Sequence, residues 1–141
     1  MNKNIWKSIG AVFAGAVASI VLEIGADELF HVTGVFPPLG QPMNDGLFLL
    51  ATFYRTVFGI LGAYITARLA PRRPMLHALI LGAIGVAVSI LGVVVTWSKG
   101  PEFGPHWYPM ALVLLGIPQC WLGGKIREVQ LAAQVSTESA R

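Results

Sequence analysis

Three charged residues, Glu23, Asp27 and Arg55, lie within long apolar stretches of the sequence. An ionisable side chain at membrane depth costs about 2.5–3.5 kcal/mol on insertion scales, so it is rarely left without a partner. Glu23 and Asp27 are four residues apart, which places them on one face of a helix. Counting depth from the middle of each apolar stretch puts Arg55 nearly level with Glu23. The pattern predicts a Glu23–Arg55 ion pair, with Asp27 as a second acceptor.

Two interpretations of these three charges stay open. In the first, the ion pair is structural and fixes the register of two helices in a scaffold or accessory subunit. In the second, the chain is a small proton-linked transporter or channel with a vestibule that opens outward. Glu23 would then be the titrating group, Arg55 would tune it, and Asp27 would lie at the outer mouth. The surplus of carboxylates over arginine favours this second interpretation, and binding of a lipid or a partner helix is a further alternative.

The sequence contains few motifs that would support catalysis or the binding of a metal or cofactor. No nucleophile–base pair, phosphate-binding glycine loop or zinc-protease motif occurs, so an integral membrane enzyme is the third and weakest functional hypothesis. His31 and His106 could bind a metal with a neighbouring acid, but no ligand spacing supports such a site. The acids in question are Asp27, Glu28 and Glu102. The same two histidines could also ligate haem, although a haem-attachment motif is lacking. We therefore assign no cofactor, metal or catalytic residue.

The composition explains why these charges matter. The chain has 141 residues, of which 55% are hydrophobic and 12% charged, and its mean hydropathy is +0.66. An average soluble domain is about 25% charged. These values exclude an ordinary soluble domain, a disordered chain and a nucleic-acid binder, and the single cysteine, Cys120, excludes a disulfide scaffold. What remains is an all-α polytopic membrane protein.

Four segments are apolar over about 20 residues, the length that a helix needs to cross the hydrocarbon core of a bilayer. They cover residues 8–30, 46–67, 75–97 and 107–124. We expect residues 1–124 to form a single bundle of four transmembrane helices and residues 125–141 to form a cytoplasmic tail. The tail could continue the fourth helix as an amphipathic extension and fray at 136–139.

The distribution of Lys and Arg predicts the orientation, because short cytoplasmic segments carry an excess of these residues. Eight of them fall at the N-terminus, in the second connection and in the tail, against one, Lys99, in the other two connections. Both termini should therefore be cytoplasmic, in a bacterial inner (plasma) membrane. The first segment also resembles a signal peptide, but it runs into Glu23 without a clean cleavage site.

Small residues at helical spacing predict how the segments pack and which partners they meet. The third segment carries the stripe Gly82, Gly85, Ser89 and Gly92, which allows close backbone approach. The stripe predicts either a central packing helix within one chain or the seam of a homodimer. The expected partners are the lipid bilayer and, as alternatives, a second copy or another membrane helix, but no nucleic acid.

Several short strings form a pattern that spans roughly residues 20–124: Gly34-Val35-Phe36-Pro37-Pro38, Tyr54-Arg55, Gly62-Ala63-Tyr64, Ala67-Arg68-Leu69-Ala70-Pro71, Arg73-Pro74-Met75 and His77-Ala78. With these strings the chain resembles small four-span bacterial inner-membrane proteins without an assigned activity. The resemblance implies a fold and a location, but no function. The chain does not resemble the small multidrug transporters, whose first-helix pattern it lacks, or the dual-topology fluoride channels, because its charge bias is one-sided.

Overall fold

Four long α-helices make up the protein in the computed structural model, which describes residues 3–141. The helices are α1 (Lys3–Val32), α2 (Asp45–Leu69), α3 (Pro74–Thr96) and α4 (Trp107–Ser139). A short 3-10 helix, Pro101–Phe103, precedes α4, and residues 3–141 contain no strand. All four long helices have the length and apolar composition needed to cross a membrane. The prediction of an all-α, four-helix membrane bundle is confirmed.

The helix boundaries follow from local sequence. The Asn44 side chain accepts a hydrogen bond from the Leu47 amide at 3.0 Å and so caps α2. Pro74 occupies the first turn of α3, where its missing amide hydrogen costs nothing. Arg73, just before it, adopts the left-handed conformation with φ of 49°, which reverses the chain within the four-residue connection 70–73.

The bundle has two distinct ends. We call the end with the first residues of α1 and residues 70–73 the terminal end, and the end with residues 33–44 and 97–106 the loop end. Helix α2 packs against all three other helices, and α4 packs against α2 and α3. Helices α1 and α3 make few contacts with each other. The bundle is therefore open between α1 and α3.

Small residues lie at each of the three main helix–helix contacts. Gly15 of α1 faces the backbone of α2. Gly123 of α4 faces α2, where an added Cβ would lie 2.8 Å from the Cβ of Ala63. Gly82 of α3 faces α4, where an added Cβ would lie 3.0 Å from the Cβ of Cys120. Close backbone approach of this kind supplies the van der Waals contact that holds helices together in lipid.

Of the two roles predicted for α3, that of the central packing helix is wrong, because α2 packs against all three other helices, while the homodimer seam stays a prediction. Within the glycine stripe of α3, only Gly82 meets a neighbouring helix closely. A Cβ at Gly85 or at Gly92 would have no atom within 4 Å, and both glycines are exposed. Since α1 and α3 make few contacts, Gly85 borders an opening between them rather than a helix.

Large apolar side chains cover the outer surface of all four helices, as expected for helices in contact with lipid. Examples are Phe13, Phe53, Val88 and Leu114. Helix α4 continues without a break through Pro118 and on to Ser139, so residues 125–139 extend it, including the stretch 136–139 where fraying was expected. Its 33 residues span about 50 Å, more than the roughly 30 Å of a hydrocarbon core.

Candidate functional site

The structure brings together all three charged residues that the sequence singled out. Glu23 and Asp27 lie one turn apart on α1, and Arg55 faces them from α2. Arg55 Nη1 lies 3.2 Å from Glu23 Oε2, and Arg55 Nη2 lies 2.5 Å from Asp27 Oδ2. We call Glu23, Asp27 and Arg55 the charged cluster. Its side chains are half-buried, with 24–31% of their surface exposed.

Arg55 is shared unequally between the two carboxylates. Asp27 is the closer partner, and it also accepts a hydrogen bond from the Tyr54 hydroxyl on α2. Glu23 has a single, longer contact with Arg55. The sequence predicted Glu23 as the main partner of Arg55 and Asp27 as the second acceptor, and the structure has the reverse. The guanidinium extends toward the loop end, where Tyr54 holds Asp27 in place.

Tyr54 is a site residue that the sequence analysis missed. Its ring is buried against Phe30 and Phe58, with centroid distances of 5.4 and 5.9 Å. Its hydroxyl reaches Asp27 across the α1–α2 contact. A signal was present in the sequence, since a buried tyrosine hydroxyl usually finds a hydrogen-bond partner and Tyr54 directly precedes Arg55.

The charged cluster contains more acidic than basic groups. Two carboxylates face one guanidinium, so its formal charge is −1 when all three groups are ionised. Asp27 and Tyr54 occupy one side of the guanidinium, and the buried Nε of Arg55 has no hydrogen-bond partner among residues 3–141. The excess charge therefore belongs to Glu23 more than to Asp27.

The first of two cavities that meet at the charged cluster is a groove of about 380 Å³ between α1 and α3, at mid-height of the bundle. All four helices line this groove. Its polar side chains are Ser19, Glu23, Arg55, Ser89 and Gln119. The rest of the lining is apolar or small, with Ile20 of α1 and Val88 of α3 on either side of the opening.

The second cavity is a loop-end pocket of about 180 Å³, lined by Asp27, Arg55, Tyr108 and the connection between α1 and α2. Phe36 from that connection is buried, with 3% of its surface exposed, and its amide donates to the Phe30 carbonyl at 2.9 Å. Arg55 lines both cavities. The charged cluster thus separates the groove from the loop-end pocket.

The two histidines that were considered as metal or haem ligands bind backbone carbonyls. His31 Nδ1 donates to the carbonyl of Asp27 at 2.8 Å. His106 Nε2 donates to the carbonyl of Trp97 at 3.0 Å, and the two rings stack with centroids 4.1 Å apart. Within residues 3–141, no group of three or more His, Cys, Asp or Glu side chains could hold a metal ion.

The site offers one carboxylate, that of Glu23, which lies beside a cavity and is only weakly paired with Arg55. Glu23 can take up a proton or pair with a cation while Asp27 keeps Arg55 neutralised. Comparison of the chain with protein-family models, curated proteins and solved structures gives no match.

Proposed function

We propose that this chain is a non-enzymatic membrane component in which the charged cluster holds α1 against α2. The observation that carries the proposal is the position of Arg55, which bridges two carboxylates one turn apart on α1. Tyr54 adds a third contact across the same interface. Removing one partner of a buried ion pair costs about 3–5 kcal/mol in soluble proteins. In a membrane the loss is smaller where the remaining carboxylate takes up a proton.

The proposed location is a bacterial inner membrane with both termini in the cytoplasm. The eight-to-one distribution of basic residues supports the orientation. The four helices that can cross a membrane, together with the resemblance to small four-span bacterial proteins, support the location.

A pair of double-mutant cycles tests the structural role. Free energies of unfolding in mixed micelles would be measured for Arg55→Gln, Asp27→Asn and Glu23→Gln, and for the two double variants that include Arg55→Gln. We expect a stronger coupling of Arg55 to Asp27 than to Glu23, because the Asp27 contact is shorter. The exposed Lys125–Glu128 pair, 3.5 Å apart on α4, is the control and should show almost no coupling. Absence of coupling in both cycles would refute the proposal.

A second candidate function is proton-linked transport, and one observation favours it. Glu23 lines the groove and Asp27 lines the loop-end pocket, while Arg55 lines both, so a proton could pass from one carboxylate to the other past the guanidinium. Toward the terminal end the bundle is filled by closely packed small side chains such as Ala63, Ala67 and Ala78. Transport would therefore need those helices to separate.

Flux measurements on liposomes separate the two functions. Under the transport function, wild type carries a proton flux that Glu23→Gln abolishes and that Glu128→Gln, on the exposed part of α4, leaves unchanged. Under the structural function, wild type shows no flux above empty liposomes, while the coupling between Arg55 and Asp27 persists. A flux that is equal in wild type and Glu23→Gln would exclude Glu23 as the transporting group.

A further inference from the structure

The groove has the dimensions of a small-molecule site and an opening toward the lipid-facing surface. Its volume of about 380 Å³ lies within the range of about 300–1,000 Å³ that is typical of ligand pockets. Such sites combine mostly apolar walls with a few polar groups, as the groove does. Its opening lies between α1 and α3, where Ile20 and Val88 are exposed on the apolar outer surface. A ligand would enter sideways, from among the lipid chains.

The polar groups of the groove are underused within the protein. Within the part of the chain that the structure describes, Glu23 Oε1 has no hydrogen-bond partner, and its other oxygen has only the 3.2 Å contact with Arg55. Neither the Gln119 amide nor the Ser89 hydroxyl bonds to any residue among 3–141, although both line the groove. Polar groups at membrane depth without partners are costly, so a ligand that engages them gains free energy.

The charge of the groove determines which sign of charge a ligand should carry. Glu23 and Arg55 are the charged side chains that line it, with the neutral thiol of Cys120 beside them. Because Arg55 is already neutralised by Asp27 on its other side, the groove holds the unbalanced charge of Glu23. The low dielectric constant of apolar surroundings strengthens the attraction of such a charge for a cation.

The walls of the groove select the kind of cation. Ca²⁺ needs six to eight oxygen ligands and Mg²⁺ needs near-octahedral coordination, mostly by water, whereas Glu23 is the one carboxylate among the described residues that line the groove. An inorganic ion that entered the groove would lose its hydration shell without gaining enough oxygen ligands from the protein to replace it. An organic cation with an apolar body has less hydration to lose, and its body contacts side chains such as Ile84 and Leu112. We infer that the groove binds a lipophilic organic cation from the bilayer, with Glu23 as its counter-ion.

Equilibrium dialysis of the protein in lipid nanodiscs tests this inference with tetraphenylphosphonium as the probe and empty nanodiscs as the blank. Wild type should bind tetraphenylphosphonium saturably, with one site per chain. Tetraphenylborate, which has the same shape and the opposite charge, should show no binding above the blank. Glu23→Gln should weaken binding at least about tenfold. Glu28→Gln, at an exposed position on the same helix, should bind as wild type does.

A steric pair of variants keeps the test valid if Glu23→Gln fails to fold. Gly85 lines the groove, and a Cβ there would meet no atom within 4 Å, so we expect leucine at this position to narrow the groove without disturbing the fold. A Cβ at Gly92 would also meet no atom within 4 Å, but Gly92 lies outside the groove. Gly85→Leu should weaken tetraphenylphosphonium binding at least about tenfold, and Gly92→Leu should leave it unchanged.

Three results would overturn the inference. Wild type that binds neither probe would mean that a lipid chain or a second copy of the protein fills the groove. Equal saturable binding of tetraphenylphosphonium and tetraphenylborate would mean an apolar slot without charge selection. Binding of tetraphenylphosphonium that neither Glu23→Gln nor Gly85→Leu weakens would place the cation elsewhere on the protein.

Discussion

Gly15 of α1 lies directly against the Thr66 hydroxyl of α2, and no β-carbon fits between the two residues. A Cβ at Gly15 would overlap Thr66 Oγ1 and the carbonyl oxygen of Gly62. Thr66 has no exposed surface. The two helices therefore meet backbone to backbone at this point, two turns of α1 from Glu23. The same pair of helices is held by close approach at Gly15 and by charge at the cluster.

Gly15→Leu should therefore damage the fold. Overpacking a well-packed contact typically costs about 1–3 kcal/mol, and backbone atoms on the facing helix make the upper end of that range the expected loss. Thermal unfolding in detergent measures the effect. Gly25→Leu is the matched control on the same helix, because a Cβ at Gly25 meets no atom within 4 Å. Equal losses from both changes would show that α1 does not cross α2 at Gly15.

Tyr54→Phe should remove the hydrogen bond to Asp27 and leave the ring packing intact. Side-chain hydrogen bonds in membrane proteins contribute about 0.6 kcal/mol on average and up to about 1.7 kcal/mol. We expect a loss near the upper value, because the acceptor is a carboxylate. Unfolding by denaturing detergent gives the free energy. Tyr108→Phe removes a hydroxyl that makes no hydrogen bond within residues 3–141, so a larger effect there would contradict the assignment.

The orientation can be tested by labelling single cysteines in a Cys120→Ala background. Cysteines at Gln41 and Glu102, both exposed at the loop end, should react with an impermeant maleimide added from the periplasmic side. Cysteines at Ala70 and Gln130, near the terminal end, should react only after the membrane is permeabilised. Labelling of position 70 in intact cells would invert the proposed topology.

Phe36→Ala should loosen the connection between α1 and α2. Truncating a buried phenylalanine costs about 3–5 kcal/mol in soluble cores, and Phe36 is 3% exposed against Phe30. Because the loop packs on one end of the bundle, much of this loss should appear locally, as faster amide hydrogen exchange in residues 33–44. Leu39→Ala in the same loop, at a position 85% exposed, should change exchange little. Similar exchange in both variants would argue against Phe36 as the anchor.

The sequence was sufficient to predict the four helices, because the length of an apolar run determines whether a segment can cross a membrane. It was insufficient to predict which helix lies at the centre of the bundle. Regular spacing of Gly82, Gly85 and Gly92 indicates where a backbone can be approached, but not whether another helix approaches it, and in the structure only Gly82 is covered. Hydropathy alone ends the fourth helix at residue 124, whereas the amphipathic pattern of the tail correctly indicated that α4 could continue beyond it.

The same limits apply to the charged cluster. Depth along two antiparallel helices locates a side chain to about one turn, or about 5.4 Å. That precision was enough to bring Glu23, Asp27 and Arg55 within reach of one another. It was too coarse to decide which carboxylate lies closer to the guanidinium, because that depends on the Tyr54 hydroxyl. The groove depends on the small number of contacts between α1 and α3, which no local pattern encodes.

The arrangement of small residues inside and large ones outside determines how such a chain can change over evolution. Positions such as Ala63 and Ala78 have no exposed surface and accept no larger side chain, so size restricts them. Positions such as Phe53 and Leu114 are mostly exposed, so any apolar residue serves there and only polarity restricts them. Lineages of this fold should exchange their bulky residues freely and keep the small ones. Related chains should therefore be recognised by the spacing of their glycine and alanine residues. These residues contribute least when two sequences are compared by hydrophobicity.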